Sequence, residues 1–72
     1  MTREEHLKWA KERALVYARS GDVNGAIASM ASDLRKHPET DHHVAIELGT
    51  MMLLAGLLKT REQAVEFIEG FN

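Results

Sequence analysis

Four histidines, His6, His37, His42 and His43, are the residues best equipped for chemistry, and three of them lie around Pro38 with Glu39 and Asp41 between. Imidazole and carboxylate together suit a divalent metal. Their spacing fits no zinc signature. His43 and Glu47 are four apart and share a helix face, but the HExxH pattern is absent. These residues are therefore expected to form a polar inter-helix loop with capping roles, and no metal or other cofactor is assigned. Ser20, Ser29 and Ser32 have no nucleophile-elbow motif around them. Gly21-Asp22-Val23-Asn24-Gly25 lacks the lysine and the pattern of a phosphate loop. No nucleophile, base and orienter can be nominated together, so no catalytic residue is assigned and the chain is expected not to be an enzyme.

Two kinds of binding chemistry remain. Arg3, Lys8, Lys11, Arg13, Arg19, Arg35 and Lys36 all fall in the first half, where a basic helical hairpin could contact phosphate. Glu4, Glu5 and Glu12 are interleaved with them, which marks a solvated face with pairs such as Lys8–Glu12. A small nucleic-acid-binding regulator is thus the alternative reading and the less favoured one. The second chemistry is apolar. Trp9 and Val16 lie about half a turn from Leu7 and Ala14, and tryptophan is enriched among interface hot spots. Trp9 and Val16 are candidate anchors for a protein partner; the competing role for Trp9 is packing against the last helix or Phe71.

The elements that must carry these residues follow from caps and breakers. Thr2 with Glu5 has capping-box spacing and opens a helix of about residues 2–20, closed by Gly21. Asp22 caps a second, about 22–37, ended by Pro38. Thr40 or Asp41 caps a third, about 41–56, stopped at Gly56. Thr60 with Gln63 opens a fourth, about 60–70. No stretch alternates with period two, so the expected fold class is all-α: a compact bundle of four helices in a single domain, residues 1–72. The expected core is Leu7, Ala14, Val23, Ile27, Met30, Leu34, Val44, Leu48, Met51, Phe67 and Ile68.

Size and charge bound the rest. At 72 residues without cysteine the chain has neither disulfides nor thiolate zinc sites to stabilise it, and a chain this short hides only ~60% of its unfolded surface on folding. Oligomerisation is the remaining aid. The net charge of −2 gives no global pull toward nucleic acid. It divides into +2 over residues 1–36 and −4 over residues 37–72. The N-terminus is acidic with no apolar core, so no secretory signal is expected. The most apolar stretch, Val44 to Leu58, contains Glu47 and falls short of a membrane span.

From Gly21 to Pro38 the string GDVNGAIASMASDLRKHP resembles the second helix of a tetratricopeptide repeat, with its Gly-Asp turn, Ala-Ile pair and terminal Pro. The likeness covers roughly residues 6–38, a single helical hairpin. No second copy follows, and one repeat cannot bury its own face. Nearly the whole chain also resembles a group of small helical proteins encoded by bacteriophages and prophages. The carrying residues are Met1-Thr2-Arg3-Glu4-Glu5-His6-Leu7, Ala28-Ser29-Met30-Ala31-Ser32-Asp33-Leu34, His37-Pro38-Glu39-Thr40, Ile46-Glu47-Leu48-Gly49 and Phe67-Ile68-Glu69-Gly70-Phe71-Asn72. That resemblance implies a cytoplasmic setting in a bacterial host cell and action by binding a host or phage protein.

Helix 3 adds a surface to this expectation. Val44, Leu48, Met51 and Ala55 form one stripe, and Ile46, Leu53 and Leu57 lie about half a turn away. One stripe suffices for an intrachain core. The second, Ile46, Leu53 and Leu57 with Gly49 allowing close approach, is the expected homodimer contact. The functional expectation is a non-enzymatic protein–protein interaction module, self-associating, with no membrane or cofactor.

Overall fold

Local signals place the helix starts. In the computed structural model, which describes residues 2–71, the four helices are α1 (Arg3–Arg19), α2 (Val23–Leu34), α3 (Val44–Leu54) and α4 (Arg61–Gly70). No strand occurs among the described residues. The all-α expectation therefore holds over them; Met1 and Asn72 lie outside them.

The Thr2 hydroxyl accepts from the Glu5 backbone N–H at 3.1 Å, and the Glu5 carboxylate accepts from the Thr2 N–H at 3.0 Å. Those bonds from the Thr2 backbone and hydroxyl hold the Glu5 carboxyl below its ordinary value. A depressed carboxylate stabilises the folded chain at neutral pH, and its contribution is lost as pH falls through the lowered value. Thr60 and Gln63 make the same reciprocal cap on α4. The Asp22 carboxylate accepts from the Gly25 N–H at 2.9 Å and starts α2. Gly21 and Gly56, at φ 91° and 77°, end α1 and α3 in the left-handed region that only glycine enters at no cost.

The middle boundaries differ from expectation. Helix α2 stops at Leu34 rather than near His37, and α3 starts at Val44 rather than near Asp41. The reason is Thr40. Its fully buried hydroxyl donates to the Leu34 carbonyl at 2.7 Å, satisfying an orphan acceptor at the α2 terminus and fixing residues 35–43 as turns. The cap of α3 is His43 instead of Thr40 or Asp41, with Nδ1 accepting from the Ala45 N–H at 3.0 Å.

Helix α1 packs against α2 and α4, while α3 meets α2. The interior contains Leu7, Ala14, Val23, Ile27, Met30, Leu34 and Ile68, as expected, with Phe67 partly buried against it. The expected core residues on α3 are the exception. Val44, Leu48 and Met51 are 68%, 43% and 65% exposed. The helix is turned over: Ala45, Ile46 and Gly49 face inward, with Met52 and Leu53 partly buried beside them. The physical cause is close approach. A Cβ added to Gly49 would stand 3.2 Å from Met30 Cε, 3.3 Å from Phe67 Cε2 and 3.5 Å from Ile27 Cγ2. Ala45 and Gly49 let α3 settle against α2 at a separation that larger residues would prevent.

This inverted face is testable by thermal melts. Ile46→Ala is expected to cost ~2–4 kcal/mol, as a core truncation does, and each kcal/mol should lower the midpoint by about 4–8 °C in a domain of this size. Met51→Ala should stay within ~0.5 kcal/mol of the parent. The reverse order would restore the stripe containing Met51 to the core.

Candidate functional site

Two places on the molecule collect polar or apolar side chains beyond what a minimal core needs. The first lies where α1 crosses the end of α2. Asp33, in the last turn of α2, is 1% exposed. Burial and the negative end of the helix dipole both disfavour its charge. It is compensated from both sides: Arg13 Nε donates to Oδ2 at 2.8 Å and Lys36 Nζ donates to Oδ1 at 3.1 Å. The Ser29 hydroxyl adds a longer bond at 3.5 Å. The Asp33 backbone carbonyl accepts from His6 Nε2 at 2.6 Å.

The Trp9 indole closes this cluster. The Arg13 guanidinium lies 4.9 Å from its ring centre and the Lys36 ammonium 5.8 Å. The His6 ring stands 5.3 Å away on the same side of α1, and His37 stacks 5.0 Å beyond His6. Each cation–π contact contributes about 0.5–1 kcal/mol at a partly exposed site. Trp9 is partly buried against the core. Its neighbours are the cations and imidazoles of the α1–α2 crossing, in place of the α4 or Phe71 packing considered for it. Val16 is 68% exposed, two turns farther along α1.

Each histidine has a place in this geometry. The His37 Nδ1 accepts from the Glu39 N–H at 3.0 Å, and His43 caps α3 while its ring lies 5.1 Å from Phe71. His42 is solvated, 3.8 Å from Asp41. Among the described residues no three His, Asp or Glu side chains converge as metal ligands. At least four of the seven cations of the first half are engaged within the chain. Beyond Arg13 and Lys36, Lys11 Nζ donates to the carbonyls of Glu69 and Phe71 at 3.2 and 2.7 Å, and Lys8 pairs with Glu12 at 4.0 Å.

The second place is the outer face of α3. Val44, Leu48, Met51 and Leu54 are exposed, Leu54 to 83%, and Leu57 follows at 58%. Beside that ridge runs a groove between α3 and α4, lined by Leu48, Met52, Leu57, Leu58, Phe67 and Phe71. Of the expected dimer contacts, Ile46 is only 4% exposed and belongs to the core, Leu53 is partly buried, and Leu57 alone is well exposed. The missed face was detectable from Ala45 and Gly49, because two small residues four apart mark the side of a helix that approaches another most closely. Trp9 and Val16 are on α1 and are not part of this face. Among the described residues, no helix is long and apolar enough to cross a membrane. No protein-family model matches the chain, and neither a curated protein nor a solved structure matches it significantly.

The Asp33 cluster generates a stability prediction that the single tryptophan can report. Arg13→Met with Lys36→Met strands a buried carboxylate and should cost ~3–5 kcal/mol. Asp33→Asn leaves its two cations half in solvent and should cost less, ~1–3 kcal/mol. Urea titrations followed by Trp9 emission measure both, and equal costs would mean that the carboxylate does not depend on its cations.

Proposed function

We propose that this protein is a non-enzymatic protein–protein interaction module, of the kind that small phage-encoded proteins supply in the bacterial cytoplasm, and that it binds through the outer face of α3. The carrying observation is the set of exposed large apolar residues on α3, Val44, Leu48, Met51 and Leu54, with Leu57 just past its end. Exposed apolar surface of this extent on a small chain marks an interaction site. Trp9 is a weaker anchor than its residue type promises, because Arg13 and Lys36 already lie over its ring. The nucleic-acid reading has less support. Arg13, Lys36 and Lys11 have intrachain acceptors, and Glu4, Glu5 and Glu12 are interleaved with the cations of α1, which weakens its pull on a phosphate backbone.

Affinity capture from bacterial lysate tests the reading when run on the parent and on Met51→Asp side by side. A protein retained by the parent and lost from an equally helical variant is expected. Equal retention by both removes the α3 face from the function. Retardation of DNA or RNA by the parent that weakens steeply with salt would instead establish the nucleic-acid alternative.

A further inference from the structure

We propose that the groove between α3 and α4 receives a large apolar side chain from a basic segment of a partner protein, and that a Lys or Arg of the same segment meets Glu66 at the groove's edge. This rests on the reading of α3's outer face as a binding surface, with which the groove shares Leu48 and Leu57. It adds which side of that face is used and what the partner must carry.

The size and the wall of the groove fit a side chain. Leu48 and Met52 line it from α3 and Phe67 from α4, while Leu57, Leu58 and Phe71 come from the segments just past those helices. Its volume is about 470 Å³. That falls in the lower half of the ~300–1,000 Å³ of hollows that enclose a small ligand, room for one or two large side chains but not for a helix ~10 Å across. Gly70 completes the wall. Its φ is not in the left-handed region, and a Cβ added there would meet nothing within 4 Å. Neither backbone geometry nor crowding within the chain therefore asks for glycine at position 70, at the end of a helix that alanine would stabilise better. Glycine leaves that space at the wall of the groove open to a partner.

Charge selects the partner. Apart from apolar groups, the groove offers only the side chains of Gln63 and Glu66. Gln63 is committed to the cap of α4: its Oε1 accepts from the Lys59 and Thr60 N–H groups at 2.9 and 3.2 Å. Glu66 is exposed and makes no ion pair among the described residues. It also lines the hollow on the α1 side of α4, together with Glu62 and Glu69. Those acids stand four residues before it and three after, so like charges crowd it along the helix. Arg61 meets only Glu62, at 3.3 Å. Gly70 and Phe71 end α4 at the groove, so the negative end of that helix dipole lies there too. Lys11 is 5.1 Å from the Phe71 ring centre, but its ammonium already donates to the carbonyls of Glu69 and Phe71. His43, 5.1 Å from the same ring, uses Nδ1 on the Ala45 N–H. A cation brought by a partner is attracted by Glu66 and by the helix end together, while an acidic segment or a phosphate backbone is repelled.

Panning a displayed library of random peptides of about twelve residues, some three helical turns, against the full chain tests the proposal with no partner known beforehand. The expected peptides carry Leu, Met, Phe or Trp with a Lys or Arg within one helical turn of it. Their affinity should fall at least tenfold for Gly70→Trp, at least fivefold for Glu66→Lys, and severalfold between low and high salt. If Gly70→Trp loses helicity in circular dichroism, Glu66→Lys, an exchange at an exposed position, decides alone. Peptides without an excess of basic residues overturn the proposal. So do peptides bound equally by the parent and Glu66→Lys, peptides bound equally by the parent and a folded Gly70→Trp, and a library that yields no binder. Peptides that Met51→Asp loses and both groove variants keep overturn the groove and its basic partner while leaving the proposed function standing, since Met51 lies outside the groove.

Discussion

Asp33 is a carboxylate placed where physics least favours one. It is buried, and it lies at the negative end of α2. A charge in that position requires partners with little freedom to wander, and those partners bring three parts of the chain together. Arg13 comes from α1, so the carboxylate sets the position of α1 against the end of α2. Lys36 comes from the turn after α2, so the same carboxylate holds the chain where the helix stops. His6 binds the Asp33 carbonyl from the first turns of α1. The turn held by Lys36 leads directly to Thr40, whose hydroxyl satisfies the Leu34 carbonyl, and then to His43, which starts α3. Asp33 and Thr40 thus act one after the other where α2 ends, and His43 starts α3. Among the described residues no buried side-chain nitrogen or oxygen lacks a partner. The cluster can therefore afford structural specificity without an orphaned polar group.

The same cluster explains why Trp9 is better placed as a strut than as an anchor. An indole with a guanidinium at 4.9 Å and an ammonium at 5.8 Å is partly covered by groups that Asp33 holds in place. A partner would have to displace cations that the buried carboxylate needs. Val16, two turns away and 68% exposed, has no comparable apolar ridge around it on α1. The richer apolar surface is on α3.

What was legible in the sequence was local. Thr2 with Glu5, Thr60 with Gln63, Asp22, Gly21 and Gly56 each act on backbone groups within four residues, so their roles could be read from spacing alone. The role of Thr40 is not legible from spacing, because its acceptor, Leu34, is six residues back and belongs to the preceding helix. Asp33 was not singled out because nothing in its neighbours announces burial; the cation that compensates it from α1 is twenty residues away. The orientation of α3 was misassigned for a related reason. A helix apolar on two sides does not declare by hydropathy which side goes inward. The packing partner decides, and Met30, Phe67 and Ile27 would have to give by a few tenths of an ångström to admit even a methyl at position 49.

That choice of face links stability to the proposed binding. Among the described residues, seven of the sixteen buried apolar ones are alanines: Ala10, Ala14, Ala18, Ala26, Ala31, Ala45 and Ala64. Each methyl contributes only about 0.8 kcal/mol when removed from water, so the core depends on close approach of the helices more than on large side chains. Dispersion decays within a fraction of an ångström of added gap, and a bulky residue turned inward on α3 would force the helix away from α2. Close packing by small residues therefore leaves Val44, Met51 and Leu54 outside, where they contribute little to the folded monomer. Folding then draws on one side of the short helix and the proposed recognition on the other. Its inner face is constrained by Met30, Ile27 and Phe67, while its exposed outer residues can change without disturbing the hairpin organised around Asp33.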